Sequence, residues 1–472
     1  MFEFFLDDHK YSTVHFIGIG GISMSALAEI LLSEGYNVSG SDTKDSLIIE
    51  RLRKLGAKIY IGHDEKNLPE NADLVIYTDA ISKDNVEYLK AISLNIPVVD
   101  RATFLGALMK NYKNSIAVSG THGKTTTTSM ISTILNHSKY NPTILLGGEL
   151  DEIGGNIKLG SRDLIITEAC EYKGNILKYF PTIAIILNMD NDHLDYFKNI
   201  EHIQNTFVEY AKKLPENGYL IINNDDAGAE KVIKNTRANV YTYGIQSDAD
   251  FKAENIALTE EGYPTYILKT KDGKAYKVKL NVLGVHNVYN SLASIIAAQI
   301  FGIPIEEILE KISHYTGVHR RLELKGYYKG AKVIDDYAHH PTEIKATLNA
   351  LRNATKGNIY CVFQPHTYSR TKLLLNSFAE SFASADKIII TDIYAAREKD
   401  TGLIHSRDLV NAIFDKGFDA IYLSTFKEVE EYLMSHVKKD DIILTMGAGN
   451  VYQIGDSIVR HSKASNDEKA AV

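Results

Sequence analysis

A glycine-flanked loop between an apolar run and a helical pattern constrains the fold of this chain more than any other feature. The apolar run is residues 116–118, and the loop after it reads Gly120-Thr121-His122-Gly123-Lys124-Thr125-Thr126. A strand, a tight turn and a helix in this order aim several backbone N–H groups at one anion, which is typical of a parallel α/β sheet. We predict a nucleotide triphosphate here, with Lys124 at its β- and γ-phosphates and the Thr125 hydroxyl on Mg²⁺. The loop is tighter than the strict pattern, because Val118 stands at the place of its first glycine.

Length, charge and cysteine content favour a cytoplasmic protein of several domains. The 472 residues correspond to about three domains at about 150 residues each. The net charge of −8 argues against nucleic-acid and membrane-surface partners. The two cysteines, Cys170 and Cys361, exclude a disulfide framework and favour a reducing compartment. An acidic N-terminus and the lack of any apolar run of about 18 residues predict neither a signal peptide nor a membrane span.

Apolar runs alternate with helical patterns along most of the chain, which predicts parallel sheets covered by helices. A polar tetrapeptide at 111–114 and a new alternation after Leu322 mark two boundaries, and residues 251–279 read as an antiparallel insertion. We predict an α/β protein of three domains: a Rossmann-like domain at 1–113, a central P-loop-type ATPase domain at 114–321 and a C-terminal Rossmann-like domain at 322–472.

A second glycine loop follows the first predicted strand, at 14–17. It reads Gly18-Ile19-Gly20-Gly21-Ile22-Ser23-Met24. Its backbone N–H groups and the dipole of the next helix predict a diphosphate site, where Asp42 would hold a ribose hydroxyl. The pattern alone leaves open NAD, another nucleotide diphosphate, or a turn needed only for packing.

Polar clusters at 168–171 and 188–195 follow two predicted strands of the central domain. Because the carboxyl ends of parallel strands meet at one edge of a sheet, both clusters should face the same ligand. Glu168 and His193 are the candidate Mg²⁺ ligands beside Thr125, with ATP phosphates completing the shell. Histidine is an unusual Mg²⁺ ligand, so a structural loop histidine is the alternative. Cys170 reads as a small buried residue, because no activating base is evident nearby.

The start of the predicted helix at 286–301 carries His286, Asn287 and Asn290. A histidine can stack on adenine, and two amides about one turn apart can face one base edge. The segment predicts an adenine site, with a capped helix start as the alternative.

Paired arginines, Arg320 and Arg321, precede the third domain. Two guanidinium groups at a domain junction can neutralise a transferring phosphoryl group. A dense ionisable cluster closes the next predicted strand and reads Asp335-Asp336-Tyr337-Ala338-His339-His340-Pro341.

A further polar segment follows the strand predicted at 359–363 and reads Gln364-Pro365-His366-Thr367-Tyr368-Ser369-Arg370-Thr371. With Asp392 and Arg397, which follow the next strand, it places acidic and cationic groups on the same edge as His339. Such groups can bind the carboxylate and the ammonium of an amino acid.

These segments, in this order, resemble those of the Mur ligase family, which builds the peptide stem of the bacterial cell wall. The resemblance extends from about Thr13 to Asp456, and the segments at 18–24 and 335–344 are most similar to those of its alanine-adding members. It implies that the first domain holds a UDP-sugar, which replaces the dinucleotide interpretation. It also implies an ATP-dependent ligase that joins L-alanine to the lactyl carboxylate of UDP-N-acetylmuramate through an acyl phosphate.

The resemblance and the residue chemistry together assign the candidate roles. The catalytic candidates are Lys124, Arg321, His339 and Arg370. The candidates for binding ATP are the loop at 120–126 with His286, Asn287, Asn290, Arg320 and Asp336. The candidates for binding the other substrates are Gly18, Gly20, Gly21, Ser23, Met24, Asp42, Tyr337 and His366. The metal candidates are Thr125, Glu168 and His193.

The chain departs from many relatives at two positions, with Cys170 in place of an aspartate and Thr367 in place of an arginine. From the segment around Thr367, only His366 and Arg370 are therefore carried over. The alanine-adding type is not expected to use the carbamylated lysine of other Mur ligases.

Several rival functions are open to the sequence alone. The nearest is the murein tripeptide-recycling ligase of the same family, although its first glycine loop departs from the pattern at 18–24. Folylpolyglutamate synthase should lack a UDP-type first domain. An NAD-dependent oxidoreductase would leave the loop at 120–126 and the pair Glu168 and His193 without a role. A non-catalytic nucleotide-binding protein would release no phosphate. The sequence leaves both a monomer and a dimer open.

Overall fold

The fold is described from a computed structural model that covers residues 2–193, 196–396 and 398–470, with side chains up to residue 462 in the last helix. The chain forms two compact units, Met1–Asp250 with Ala293–Ile308, and Phe251–Leu292 with Leu309–Val472. Within the described ranges, no helix is both long enough and apolar enough to cross a membrane.

The first unit begins with a five-stranded parallel sheet in the order β3-β2-β1-β4-β5. Its strands are β1 Thr13–Ile17, β2 Asn37–Asp42, β3 Lys58–Ile61, β4 Leu74–Tyr77 and β5 Val98–Asp100, and its helices are α1 Ile22–Ser33, α2 Leu47–Lys54, α3 Val86–Ser93 and α4 Arg101–Met109. The predicted strands are confirmed. Because the strand order reverses between β1 and β4, the loops after these two strands flank the crevice where such sheets bind ligands.

The first unit continues with the central sheet in the order β12-β11-β10-β6-β9-β7-β8. Its strands are β6 Asn114–Ser119, β7 Pro142–Leu150, β8 Gly155–Lys158, β9 Ser161–Ala169, β10 Ile183–Ile186, β11 Tyr219–Asn223 and β12 Asn239–Gly244, and its helices are α5 Lys124–Leu135, α6 Ile200–Ala211 and α7 Ala229–Ile233. Strand β6 pairs in parallel with β9 on one side and β10 on the other. The three loops after these strands therefore leave from one edge, as predicted.

One apolar core connects both sheets of the first unit. Phe16 and Phe104 on the first sheet's side and Ile165, Ile176 and Tyr179 on the other belong to the same cluster of buried side chains. The predicted boundary between 113 and 114 therefore does not interrupt the packing. The hairpin of β7 and β8 is absent from the prediction, although residues 144–146 form a short apolar run.

The second unit contains the predicted antiparallel insertion and a six-stranded sheet in the order β16-β17-β21-β18-β19-β20. The insertion strands are β13 Phe251–Leu258, β14 Pro264–Thr270 and β15 Ala275–Lys279, and the sheet strands are β16 Glu323–Tyr328, β17 Ala331–Asp336, β18 Ile359–Phe363, β19 Lys387–Ile390, β20 Ala420–Tyr422 and β21 Ile442–Met446. Only β16 runs antiparallel in this sheet. It was not predicted, because this half-exposed edge strand lacks an apolar run.

Eight further helices follow along the described part of the chain. They are α8 His286–Ile300, α9 Ile305–His314, α10 Pro341–Arg352, α11 Tyr368–Leu373, α12 Leu375–Ala379, α13 Ser406–Asp415, α14 Phe426–His436 and α15 Tyr452–Ala470. Helices α8 and α9 each contribute residues to both units.

Candidate active site

The phosphate loop turns sharply between β6 and α5. Gly120 and Gly123 have φ angles of 131° and 86°, a left-handed region that favours glycine. A Cβ on Gly120 would lie 3.0 Å from the backbone nitrogen of Asn188, so the close approach of the two loops also requires glycine. Gly123 precedes α5 directly, which leaves the first N–H groups of that helix facing the loop.

The phosphate loop is fixed to the loop after β10 by reciprocal hydrogen bonds. The His122 N–H donates to Asn188 Oδ1 at 2.8 Å, and Asn188 Nδ2 donates to the His122 carbonyl at 3.0 Å. The His122 ring lies 3.1 Å from Asp190 Oδ2, and the Asp190 N–H donates to Thr121 Oγ1 at 2.9 Å. The side chains of Thr121 and His122 therefore hold the loop in shape, and its backbone carries the anion-binding groups.

Lys124 lies within this loop with 17% of its side chain exposed. Its ammonium donates to the carbonyls of Gly120 and Thr121 and to Glu171 Oε2, the last at 3.3 Å. Burial alone would lower the pKa of Lys124, but Glu171, Cys170 and Glu168 outweigh it and raise the pKa above its ordinary value. A full positive charge at this position suits a triphosphate.

The three metal candidates stand at the ends of neighbouring elements. Thr125 is 7% exposed on the first turn of α5, and Glu168 and His193 follow from β9 and β10. Glu168 accepts a 2.6 Å hydrogen bond from the N–H of Gly147, and a Cβ on Gly147 would lie 2.9 Å from Glu168 Oε1. The His193 ring stacks on Tyr172 at 4.5 Å. A hydroxyl, a carboxylate and an imidazole at one sheet edge fit a divalent cation whose remaining ligands are phosphate oxygens. Leu194 and Asp195 of the predicted acidic cluster lie outside the described residues.

The glycine loop at 18–24 has the predicted strand-turn-helix form. Gly18 has a φ of 82°, and the N–H of Gly20 donates to Asp42 Oδ2 at 2.9 Å. One carboxylate oxygen of Asp42 therefore shapes the loop, and its role in holding a ribose stays a prediction. Ser23 is half-buried, whereas Met24 is 1% exposed and packs in the core. The Met24 side chain is thus structural, and only its backbone can face a ligand.

A buried polar network under this loop has no counterpart in the prediction. Glu87 is fully buried and accepts hydrogen bonds from Ser41 and Asn67, and it pairs with His15 at 3.1 Å. Burial would raise the pKa of Glu87, but these partners lower it below its ordinary value. The only sequence signal is the histidine at position 15, inside an otherwise apolar strand.

In the second unit, Arg320 and Asp336 are engaged by the protein itself. The Arg320 guanidinium lies between the rings of Tyr337 and Tyr452 at 4.8 and 4.7 Å, and it donates to Asp335 and to the Gly447 carbonyl. Asp336 is 5% exposed and accepts from the N–H groups of Leu322 and Ala338, both at 2.8 Å.

The side chains of Arg320 and Asp336 each have several partners within the protein, and their role in binding ATP stays a prediction. They hold the turn that carries Arg321. The Arg321 guanidinium lies 5.0 Å from the Tyr337 ring.

The histidines of the third sheet have different roles. His340 is 4% exposed and caps α10 in a reciprocal arrangement with Glu343. His339 lies 5.7 Å from His366, ring centre to ring centre, and His366 stacks on Tyr394 at 5.8 Å. Arg370 Nη1 is 3.3 Å from His366 Nδ1, so the structure brings His339, His366 and Arg370 together as predicted.

Thr367 and Asp392 complete this description. Thr367 adopts a φ of 65°, which is strained for a β-branched residue, and its hydroxyl caps α11. Asp392 accepts a hydrogen bond from the Tyr422 hydroxyl. Arg397 lies outside the described residues.

The predicted adenine segment borders a cavity of about 270 Å³ in the second unit. Its lining includes His286 and, on one face of α10, Asn349 and Asn353. Asn287 and Asn290 are each 5% exposed; Asn287 donates to the Leu283 carbonyl at 2.7 Å, and Asn290 donates to Asn287 at 2.8 Å. Both amides therefore support the helix start, which was the alternative interpretation, and His286 is the member of the three that lines the cavity.

Sequence reasoning assigned no role to Glu171 and Tyr172, although both contact candidate residues. Glu171 contacts Lys124, and Tyr172 contacts His193. Their position directly after β9, at the carboxyl edge of a parallel sheet, was the available signal.

Three family models match the chain in succession. They are described as "Mur ligase family, catalytic domain" for residues 13–113, "Mur ligase middle domain" for 118–298 and "Mur ligase, glutamate ligase domain" for 320–449. Their succession confirms the predicted α/β protein of three domains, while the predicted boundaries themselves stay predictions.

Curated relatives match over nearly the full length. The UDP-N-acetylmuramate–L-alanine ligase of Caldanaerobacter subterraneus is 51% identical over 97% of this chain and 99% of its own length. The enzyme of the same name from Acetivibrio thermocellus is 52% identical over 96% of this chain and 97% of its own. Among solved structures, the UDP-N-acetylmuramate–alanine ligase of Thermotoga maritima aligns with a TM-score of 0.82 at 28% identity, covering 96% of this chain and 99% of that one.

Proposed function

The chain belongs to the Mur ligase family, and from this premise we propose that it uses ATP to join L-alanine to the lactyl carboxylate of UDP-N-acetylmuramate. This is a step in the synthesis of peptidoglycan precursors. The observation that carries the proposal is the phosphate loop, where the Lys124 ammonium and the ends of β6, β9 and β10 share one sheet edge.

The first reaction step is transfer of the γ-phosphoryl group. A lactyl carboxylate oxygen attacks the γ-phosphorus, the bond to the bridging oxygen breaks, and ADP leaves behind an acyl phosphate. Lys124 and the N–H groups at the start of α5 neutralise the phosphate oxygens while charge moves between them. Thr125, Glu168 and His193 would hold Mg²⁺, which supplies further charge neutralisation when it is bound.

The second step is attack of the alanine amine on the acyl carbonyl, followed by loss of phosphate. The amine must first lose a proton. His339 Nδ1 lies 3.1 Å from the Tyr337 carbonyl, so it carries the hydrogen in the neutral ring and Nε2 is the basic nitrogen. We assign proton removal to His339.

We assign the carboxylate of the incoming amino acid to His366 and Arg370. Arg370 can only donate, so His366 Nδ1 accepts from it, and the hydrogen of the neutral His366 ring is on Nε2. The guanidinium and this N–H together form a carboxylate clamp.

The first sheet supplies the sugar-nucleotide site in this proposal. The N–H groups of residues 18–21 already donate within the protein, so we assign the diphosphate to the N–H groups of the first turn of α1, where the helix dipole favours it. Glycine at position 20 lets Asp42 pack against the loop, because a Cβ there would lie 3.0 Å from Asp42 Oδ2. For the adenine of ATP, the cavity beside His286 is the favoured site.

A cytoplasmic location follows from the use of ATP and agrees with two unpaired cysteines, Cys170 and Cys361. The domain limits 1–113, 114–321 and 322–472 are retained as part of the proposal. Both a monomer and a dimer are compatible with it.

The test is phosphate release from ATP with each sugar nucleotide and each amine offered in turn. UDP-N-acetylmuramate with L-alanine should give release at a rate well above that with either substrate alone, and the product should contain one amide. Release with the tripeptide of the recycling reaction, and none with L-alanine, would instead establish the recycling ligase. ATP binding without release under any combination would establish a non-catalytic protein.

A further inference from the structure

The segment after β9 contacts two parts of the candidate site that are far apart in sequence. Glu171 directly precedes a 3-10 turn, Tyr172–Lys178, that leaves the edge of the central sheet. Within that turn Lys173 and Gly174 have φ angles of 55° and 69°, so the chain reverses sharply just after Tyr172. This reversal lets the adjacent side chains of Glu171 and Tyr172 contact different partners.

The first partner is the phosphate-loop lysine. Glu171 is 2% exposed, and its Oε2 lies 3.3 Å from the Lys124 ammonium. Its other oxygen, Oε1, is buried and has no hydrogen-bond partner among the described residues. Burying a carboxylate with an unsatisfied oxygen costs stability. The arrangement therefore calls for an explanation beyond packing.

The second partner is His193. Its ring stacks on Tyr172 at 4.5 Å with an interplanar angle of 28°, and its own backbone has a φ of 53°. The ring of Tyr172 therefore helps to orient the ring of His193. Mutation of groups that orient a metal ligand commonly changes metal affinity by about 10- to 100-fold.

The far end of the turn is anchored independently. Asn175 Nδ2 donates to Asp79 at 3.0 Å, and Lys178 donates to Asp100 at 2.9 Å. The Lys178 carbonyl would lie 1.9 Å from a Cβ on Gly106, so the turn packs directly on α4. Substitutions at Glu171 and Tyr172 should therefore leave the rest of the turn in place.

We propose that Glu171 and Tyr172 are positioning residues, Glu171 for the Lys124 ammonium during phosphoryl transfer and Tyr172 for the His193 ring as a metal ligand. The proposal rests on the proposed function, in which Lys124 serves the phosphates and His193 the Mg²⁺. Because Glu171 is itself an anion near the phosphates, it weakens the binding of ATP in the ground state while it directs Lys124. Substitution of Glu171 should therefore lower kcat without weakening the binding of ATP.

The experiment for Glu171 compares Glu171→Gln with the wild type and with Glu209→Gln, which alters an exposed pair with Lys212. Binding of the non-hydrolysable analogue AMP-PNP is measured by calorimetry, and kcat by phosphate release. Glu171→Gln should bind AMP-PNP as tightly as the wild type or more tightly, while kcat falls about 10- to 100-fold. A parallel loss of binding and kcat with a lower melting temperature would show a structural role and overturn the proposal, as would unchanged kcat.

The experiment for Tyr172 compares Tyr172→Leu with Tyr172→Phe, which keeps the stacking ring. Calorimetry with AMP-PNP is run with and without Mg²⁺. Tyr172→Leu should raise the Mg²⁺ concentration needed for half-maximal tight binding by about 3- to 10-fold. Binding without Mg²⁺ should be unchanged, and Tyr172→Phe should behave like the wild type. Equal losses in both variants, or a loss without Mg²⁺, would overturn the proposal.

Failure of the proposed function is recognised separately. A wild type that binds AMP-PNP and Mg²⁺ but releases no phosphate with L-alanine would remove the ligase assignment. The calorimetric comparison of the Tyr172 variants would still decide whether this residue positions His193.

Discussion

The phosphate loop and the carboxyl edge of the third sheet both present cations to anionic ligands, but they hold those cations differently. Lys124 is held by carbonyls of its own loop and by the carboxylate of Glu171, which follows β9. Arg320 depends on residues from a distant part of the chain, Gly447 and Tyr452, whereas Arg370 contacts His366, four residues before it. A cation held locally can be recognised from a short motif, whereas one held by distant groups can be assigned only once the fold is known.

The largest expected effect is at the locally held cation. Lys124→Ala removes the charge that faces the phosphates and should lower kcat/KM by about 1000-fold or more. Phosphate release and circular dichroism would be measured on the same preparations. Near wild-type ligation would show that the phosphate-loop assignment is wrong.

The control for this substitution must address Glu171, because Lys124→Ala leaves that buried carboxylate without its cation. The double variant Lys124→Ala/Glu171→Gln removes both charges. If the fold of the single variant is impaired and that of the double variant is not, the loss of activity in the double variant still reports on Lys124.

The next largest effect is a change in stability with pH at the buried carboxyl of Asp336. Burial raises the pKa of this carboxyl to about 6, against the opposing influence of Arg321 and the N–H groups of Ala338 and Leu322. Because the folded state binds the proton more strongly than the unfolded chain, the contribution to stability is complete below about pH 4 and is lost as the pH rises through about 6. At about 1.4 kcal/mol per pKa unit, the free energy of unfolding should fall by about 2–3 kcal/mol across this range.

Urea unfolding, followed by hydrogen exchange in peptides covering residues 320–340, measures this effect. Asp336→Asn cannot titrate and should show a flatter pH dependence over the same window, even though it is less stable at each pH. An equal slope in both proteins would mean that Asp336 does not titrate there.

A smaller effect is expected at Arg370. Its removal deletes one charged hydrogen bond to the carboxylate of the amino acid, so Arg370→Ala should raise the KM for L-alanine by about 10- to 100-fold. The KM for ATP should stay within about twofold. Arg407, which stacks on Tyr422 at 4.8 Å, provides the control as Arg407→Ala. A change in the KM for ATP instead of that for alanine would place Arg370 with the nucleotide.

The contrast between side chains held by local partners and those held by distant ones also explains how much of the fold and of the candidate site could be predicted. The predicted strands of the first and third sheets were found because continuous apolar runs mark buried parallel strands. The placement of Lys124, Glu168 and His193 at one sheet edge could be predicted, because a short motif and two strand ends identify that edge. The engagement of Arg320 and Asp336 by the protein was not predicted. Two partners of Arg320, Gly447 and Tyr452, lie more than a hundred residues later, and a sequence pattern does not show which side chains become buried. The contact between Gly147 and Glu168 could not be predicted either, because a sequence pattern does not show which side chains come together in the fold.

The smallest expected effect tests that contact. Gly147 donates its N–H to Glu168, and a Cβ on Gly147 would lie 2.9 Å and 3.0 Å from the two carboxylate oxygens. Gly147→Ala should displace the Glu168 side chain by a few tenths of an ångström and raise the Mg²⁺ concentration for half-maximal activity by about 3- to 10-fold. The change should appear in a Mg²⁺ titration of phosphate release, while AMP-PNP binding without Mg²⁺ stays at the wild-type level. If that metal-free binding weakens as well, the added methyl group has disturbed the phosphate loop itself, and the small effect cannot be assigned to the carboxylate of Glu168.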